Sequence, residues 1–326
     1  MIRTTLASII FATSAQAGVT DALDDVILPG FDSFATAATD FAGAAQDSCL
    51  PSNLVVPFDA LMQTWMRVGD IKMGPSEHGT LSIAFWPDTR GFTDKTLAGL
   101  IADEDPVVDD PAAMADLSIA ARGLFALDML LFDPEYAEYG PDSYTCRLVT
   151  ALADDLARQA TALDMAWRTE FADVLRSAGA EGNVTYLTPD EATRAIYTQI
   201  LTSLEFTADT RLGRPLGDVT RARPSRAEAW RSGRSLPNVI AVAQSDVALA
   251  RALAGHPLPQ TQAALDSFLD AAAKVTDPGF QDIEDPSARL LVEITEQRLD
   301  ALRGAIEVEV GEPMGLTAGF NSSDGD

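Results

Sequence analysis

The sequence predicts an all-α fold, two packed antiparallel helical bundles. Apolar residues recur at spacings of three and four along most of the chain, the period of an amphipathic helix. Alternating β-branched runs, which mark strands, are almost absent. Capping residues and Gly/Pro breaks cut the chain into long helical segments joined by short loops, the pattern of antiparallel bundles. The chain has 326 residues, 47% of them apolar, enough for a sizeable core.

The elements follow in order. Residues 30–45 are rich in Ala and Phe at helical spacing, and residues 55–68 place Leu61, Trp65 and Val68 on one side. Residues 75–91 hold Gly, Pro and two aromatic residues and read as a loop; 93–102 read as a short helix. Asp110-Pro111 pairs an N-cap with proline at the first helical position, and a helix is expected from there to Phe132. After a loop at 134–141, Asp142 or Ser143 starts a long helix through about Arg176. Gly179 and Gly182 break the chain. Thr188 and Glu191 form a capping box for a helix to about Asp209. Residues 211–224 read as irregular, and Ser225, with Glu228 at the box position, as the start of a helix towards Ala254. Residues 258–275 and 286–310 complete the set, and 311–326 form a Gly-rich tail. The organisation read from this is a leader at 1–17, an N-terminal bundle at 18–178 and a C-terminal bundle at 183–326.

The leader has the parts of a cleaved secretory signal peptide: Arg3, a short apolar stretch from Leu6 to Ala12, and the small-x-small site Ala15-Gln16-Ala17. Export to the periplasm is the expected localisation, with Gly18 as the mature N-terminus. No other apolar run reaches the roughly 20 residues of a membrane span. The net charge of -26 repels nucleic acid and anionic lipid. In an oxidising compartment the two cysteines, Cys49 and Cys146, are expected to form a disulfide rather than remain two buried thiols.

Searches for catalytic motifs return little. There is no HExxH, Gly-x-Ser-x-Gly, Walker A loop or paired CxxC. His78 and His256, the two histidines, lie in loop-like surroundings and cannot by themselves supply a zinc site or a choice of catalytic bases. Carboxylates alone could still hold a hard cation.

Several segments, taken in order, resemble the imelysin-like (peptidase M75) family of iron-regulated helical proteins. The first is the run from Ala121 to Phe132, where the family carries Gly-x-His-x-x-Glu; here Gly123 matches, Phe125 replaces the histidine and Asp128 the glutamate. Around it stand Trp65, Gly74-Pro75 and Phe85-Trp86-Pro87-Asp88, then Arg214-Pro215-Leu216-Gly217, Arg231 to Leu236, Gly319-Phe320-Asn321 and Asp324-Gly325-Asp326. The resemblance spans essentially the whole mature chain. It implies two helical bundles with a site between them, and a role in iron uptake; the family name also implies a metal-dependent peptidase.

The residues themselves narrow the site. Positions three apart on a helix share a face, so a His and a Glu there can hold a metal jointly, whereas Phe125 and Asp128 cannot. An acid on an apolar helix face needs a partner, and an arginine is the obvious one. Seven arginines fall between Arg211 and Arg234 against two acids, Asp218 and Glu228. Guanidinium groups match carboxylate and phosphate geometry, so Arg231 and Arg234, with the hydroxyls of Ser232 and Ser235, are candidates for an anion pocket opposite Asp128. Trp86 and Asp88 are candidates for the cleft wall. Asp128, Asp324 and Asp326 are the candidate ligands for iron or another divalent cation.

The expectation is therefore a periplasmic binding or accessory protein in iron acquisition, whose partner is a metal, a small anionic ligand or a periplasmic uptake protein. The alternatives are a peptidase of the M75 type, for which no nucleophile–base set can be named, and a protein that holds a partner segment in the inter-bundle cleft.

Overall fold

A computed structural model of the chain describes residues 18–218 and 220–316. Among these no strand forms, and β-type pairing is limited to an isolated bridge between Asp218 and Arg221. The major helices are α1 (Leu28–Asp47), α2 (Pro51–Trp65), α3 (Phe92–Asp103), α4 (Gly123–Phe132), α5 (Tyr144–Ala166), α6 (Pro189–Phe206), α7 (Ser235–Ala254), α8 (Pro259–Ala272) and α9 (Pro286–Ile306). None is long and apolar enough to cross a membrane.

The first bundle forms because α1 turns Leu28, Phe31, Phe34, Ala38, Phe41 and Ala45 onto one face. That face packs on α2 and α5, and α4 packs against α2 and α5. Phe31 stacks on Trp167 at 5.0 Å, Phe34 meets Trp65 at 4.8 Å and Phe41 meets Phe58 at 6.1 Å. Burial of each such ring contributes about 1.5–3 kcal/mol. Ser143 caps α5 by accepting from the Cys146 amide at 3.1 Å. The Cys49–Cys146 disulfide is present and ties the α1–α2 turn to the first turn of α5, with Cα atoms 5.3 Å apart. In the second bundle α6, α7, α8 and α9 pack among themselves. Thr188 starts α6 as expected, accepting from the Glu191 amide at 3.3 Å. Glu191 reaches back to the Leu187 amide at 2.6 Å. The two sets meet where α2 touches α7 and where residues 23–27 lie on α7.

Among the described residues four helices carry a π-helical turn: Leu23–Ile27 leads into α1, and Trp167–Phe171, Thr207–Leu212 and Glu307–Gly311 extend α5, α6 and α9. Such turns rotate the following side chains out of α register and are frequent at functional sites. The turn after α6 carries Arg211 inward, where it is 5% exposed.

Three sequence expectations are corrected. The helix begun at Asp110-Pro111 stops at Ala115, and α4 starts afresh at Gly123. The Arg122 guanidinium ends the first piece by donating to the Ala115 carbonyl at 2.5 Å while pairing with buried Asp155. Gly123 then turns the chain with φ +73°. Residues 211–216 are helical rather than irregular. Ser225 caps no long helix: only Pro224–Arg226 form a 3-10 turn and α7 begins at Ser235. The box residue Glu228 is drawn into the interior by Arg211, and positive φ at Ala229 and Gly233 breaks the segment.

Candidate functional site

A cleft of about 440 Å³ opens between the two halves of the chain. One wall is the loop from Phe85 to Asp94 together with Phe125, Asp128 and Met129 of α4. The other is Arg214 and the segment from Ser225 to Arg231.

The first wall is built around Gly123. The Leu124 amide donates to the Ile83 carbonyl at 2.8 Å. A Cβ at position 123 would lie 2.1 Å from that same oxygen, so only glycine lets α4 dock this closely. The docking brings the Trp86 loop over α4, and Trp86 lies 6.2 Å from Phe125 and 6.2 Å from Phe206. Asp88 caps the start of α3, accepting from the Thr93 amide at 2.7 Å. Burial pushes its carboxyl up, but the amides of Thr93, Phe92 and Arg90 outweigh that and hold it below the usual range. Asp94 accepts from the Tyr136 hydroxyl at 2.5 Å.

Asp128 is the buried acid of the cleft. It is 2% exposed, and its Oδ1 has no hydrogen-bond partner. Burial pushes its pKa up to about 6; Ser232 and the more distant Arg231 charge offset part of this, and Asp133 adds to the rise. Arg231 pairs instead with Asp133 at 2.5 Å and stacks on Trp230 at 4.6 Å. Burial pushes the Asp133 carboxyl up, but the Arg231 bond and the Glu135 amide outweigh it and hold it below its usual range.

The second wall holds two arginines that have no acidic partner among the described residues. Arg214 is half-buried, its Nε is buried without a hydrogen-bond partner, and burial, together with the charge of Arg226, pushes its pKa down. Arg226 is exposed. The cleft thus presents the guanidinium groups of Arg214 and Arg226 beside the Asp133-paired Arg231, aromatic surface from Trp86, Phe125 and Trp230, and a buried acid with one oxygen unpartnered among the described residues.

The predicted site residues divide. Trp86, Asp88, Phe125, Asp128 and Arg231 line the cleft together. Ser232 sits beside Asp128, with its hydroxyl donating to the Ala229 carbonyl at 3.1 Å. Gly123 acts through backbone packing. Arg234 and Ser235 belong to a neighbouring buried network. In it Arg211 bonds Asp70 at 2.7 and 3.0 Å and Glu228 at 3.0 Å. Asn238 donates to Glu228 at 3.0 Å, and the Ser235 hydroxyl donates to the Glu228 carbonyl at 2.6 Å. Arg234 bonds Asn238, Asp59 and Gln63 at 3.3, 2.5 and 2.8 Å. This network clamps the 228–235 segment against α2 and so fixes the second wall. Asp324 and Asp326 lie outside the described residues, as does the leader at 1–17. Among the described residues no three His, Cys, Asp or Glu side chains gather as a metal site would require.

Sequence reasoning missed Trp230, Asp94 and Asp133, and it counted Arg214 and Arg226 without placing them. The excess of arginine over acid between 211 and 234 was the usable signal. Which arginines stay unpartnered depends on acids 98 to 175 residues away.

The chain is an all-helical protein of packed bundles with a cleft between its halves. The family model for imelysin (peptidase M75) matches residues 27–306, and the chain belongs to that family. Two solved structures share the fold. An imelysin-like protein from Psychrobacter arcticum 273-4 superposes with a TM-score of 0.78 at 17% identity, over 97% of this chain and 100% of that one. An iron-regulated protein A precursor from Parabacteroides distasonis ATCC 8503 gives 0.70 at 14% identity, over 95% and 98%. A comparison with curated proteins returns no match.

Proposed function

We propose that this chain is an exported binding or accessory protein of the imelysin family, that it serves iron acquisition, and that it holds its cargo in the cleft between residues 85–94, α4 and residues 214–231. The two halves divide at Gly179–Gly182, and residues 1–17 are removed on export.

One observation carries the binding role. Asp128 Oδ1 and Arg214 Nε are both buried without partners, and both residues line the same cleft. Orphaned buried polar atoms cost about 1–3 kcal/mol each, and these two face one cleft that a ligand can fill, so a single ligand can complete both. The iron setting draws on the family and on the similar structure described as an iron-regulated protein A precursor. The peptidase alternative finds less support, since neither His78 nor His256 lines the cleft.

Isothermal titration of the mature chain with ferrous, ferric and citrate-chelated ferric iron tests the cargo. Micromolar binding of at least one form is expected. Absence of binding by all three would sink the iron assignment. N-terminal sequencing of the protein recovered from the periplasm should read from Gly18; a chain retaining Met1 would overturn export with cleavage.

A further inference from the structure

We propose that the cleft ligand is a small organic carboxylate, its acid group held between Arg214 and Arg226, its flat apolar body against Trp86, Phe125 and Trp230, and a polar group at its other end meeting Asp128. This rests on the reading of the cleft as a ligand site and adds the chemical class.

Arg214 and Arg226 are close enough for one charge to disfavour the other, and Arg214 is partly desolvated besides. Three of the seven arginines between 211 and 234 have acids among the described residues: Arg211 has Asp70 and Glu228, Arg231 has Asp133, and Arg234 has Asp59. The chain has 49 acidic residues against 23 basic ones, so acids are not scarce. Two neighbouring guanidinium groups left without one among the described residues, on the wall of a cleft, form a receptor for an anion that comes from outside.

The other lining residues select which anion. Asp88, Asp94 and Asp128 face the same space, and the whole molecule is strongly negative. A doubly charged phosphate would meet repulsion from these acids, whereas a carboxylate brings one charge that two guanidinium groups neutralise. The aromatic surface requires more than a bare anion. Trp86 and Phe125 on one wall and Trp230 on the other are suited to a flat, weakly polar body. A volume of about 440 Å³ suits a ligand of this kind, and pockets of this size bury most of a small molecule. Asp128 lines the same cleft. Its free Oδ1, in a side chain 2% exposed, is placed to exchange a hydrogen bond with a hydroxyl or amide of the ligand.

Calorimetric titration of the full mature chain with 4-hydroxybenzoate, its neutral counterpart 4-hydroxybenzamide, and inorganic phosphate tests the class. Measurable affinity is expected for the carboxylate, with the amide and phosphate weaker by about tenfold or more, the loss of one charge-assisted contact. Arg214→Gln combined with Arg226→Gln should abolish the preference for carboxylate over amide. It should also keep or raise the melting temperature of the unliganded protein, because neither arginine has an acidic partner to lose among the described residues. A fall in that temperature, equal binding of acid and amide, or preferred binding of phosphate would overturn the proposal. Native mass spectrometry of the protein drawn from periplasm separates the two levels. A co-purifying molecule lacking a carboxylate would overturn the class and leave the ligand-site reading standing; a carboxylate lost on substitution of both arginines supports both.

Discussion

Arg231 closes on Asp133 at 2.5 Å and so leaves Asp128, one turn back along α4, without a cation of its own. The sequence suggests that an arginine of this segment neutralises Asp128. The arginine is beside it, but the better-exposed acid takes the bond. Asp128 stays buried, with its pKa near 6 and one oxygen free.

The consequence for stability has a definite sign. A carboxyl whose pKa is raised on folding favours the native state most when protonated in both states, at low pH. That contribution is lost as pH rises from the ordinary carboxylate value through about 6. Asp128→Asn should therefore be more stable than the parent at pH 7.5, by about 2–3 kcal/mol if the whole shift is realised, and the gain should vanish near pH 4. Urea denaturation at both pH values checks this. Glu296, also pushed up to about 6 by burial, contributes in the same direction, so only the difference between the two proteins is diagnostic.

The same charge bears on binding. Asp128 is faced by Ser232 and Arg231 from the 229–234 segment and by Asp133 at the end of its own helix. A carboxylate ligand should bind more tightly at pH 5 than at pH 7.5, because a neutral Asp128 donates a hydrogen bond and an ionised one repels the ligand. In Asp128→Asn the dependence over that range should flatten, as read by calorimetry.

Arg211 joins Asp70 to Glu228 in the interior, and removing it strands two acids. Arg211→Met should cost about 3–5 kcal/mol, the usual penalty for breaking a buried ion pair on one side. Chemical denaturation measures the loss. Loosening of the Glu228 wall should also lower the protection of the 228–235 amides in hydrogen exchange.

Gly123→Ala should be more damaging than its size suggests. The added methyl would lie 2.1 Å from the Ile83 carbonyl and 2.5 Å from that of Ser82, on a residue held at φ +73°. A loss of more than about 2 kcal/mol is expected, from backbone strain plus the displaced loop. Quenching of Trp86 fluorescence by acrylamide should increase as the loop detaches.

Reduction of Cys49–Cys146 should lower the melting temperature. Opening a loop of 97 residues removes about 5 kcal/mol in the chain-entropy picture. Calorimetry with and without reductant gives the value.

What the sequence disclosed was local. Ser143 and Thr188 mark helix starts because a cap needs only the next three residues, and the spacing of Phe31, Phe34 and Phe41 reveals the buried face of α1. Even the disulfide followed from counting two cysteines in a chain whose first residues read as a secretory leader. The failures were at positions ruled by distant contacts. The helix expected from Asp110 breaks before Gly123 because Ile83 receives the Leu124 amide, and Asp155 holds Arg122 across a gap of 33 residues. Ser225 and Glu228 carry a capping pattern, yet Arg211 and Asn238 claim Glu228 for the interior. In the site, residue types were legible and pairings were not. Arg234 and Arg214 look alike in sequence, and only the folded chain gives one a carboxylate and leaves the other without.

The most direct measurement is a crystal structure of the mature protein soaked with the carboxylate that binds best. Density is predicted between the Arg214 and Arg226 guanidinium groups, extending past Trp86 to within hydrogen-bond distance of Asp128. A ligand seated elsewhere, or a cleft in which Arg214 and Asp128 remain without new partners at saturating ligand, would contradict the account.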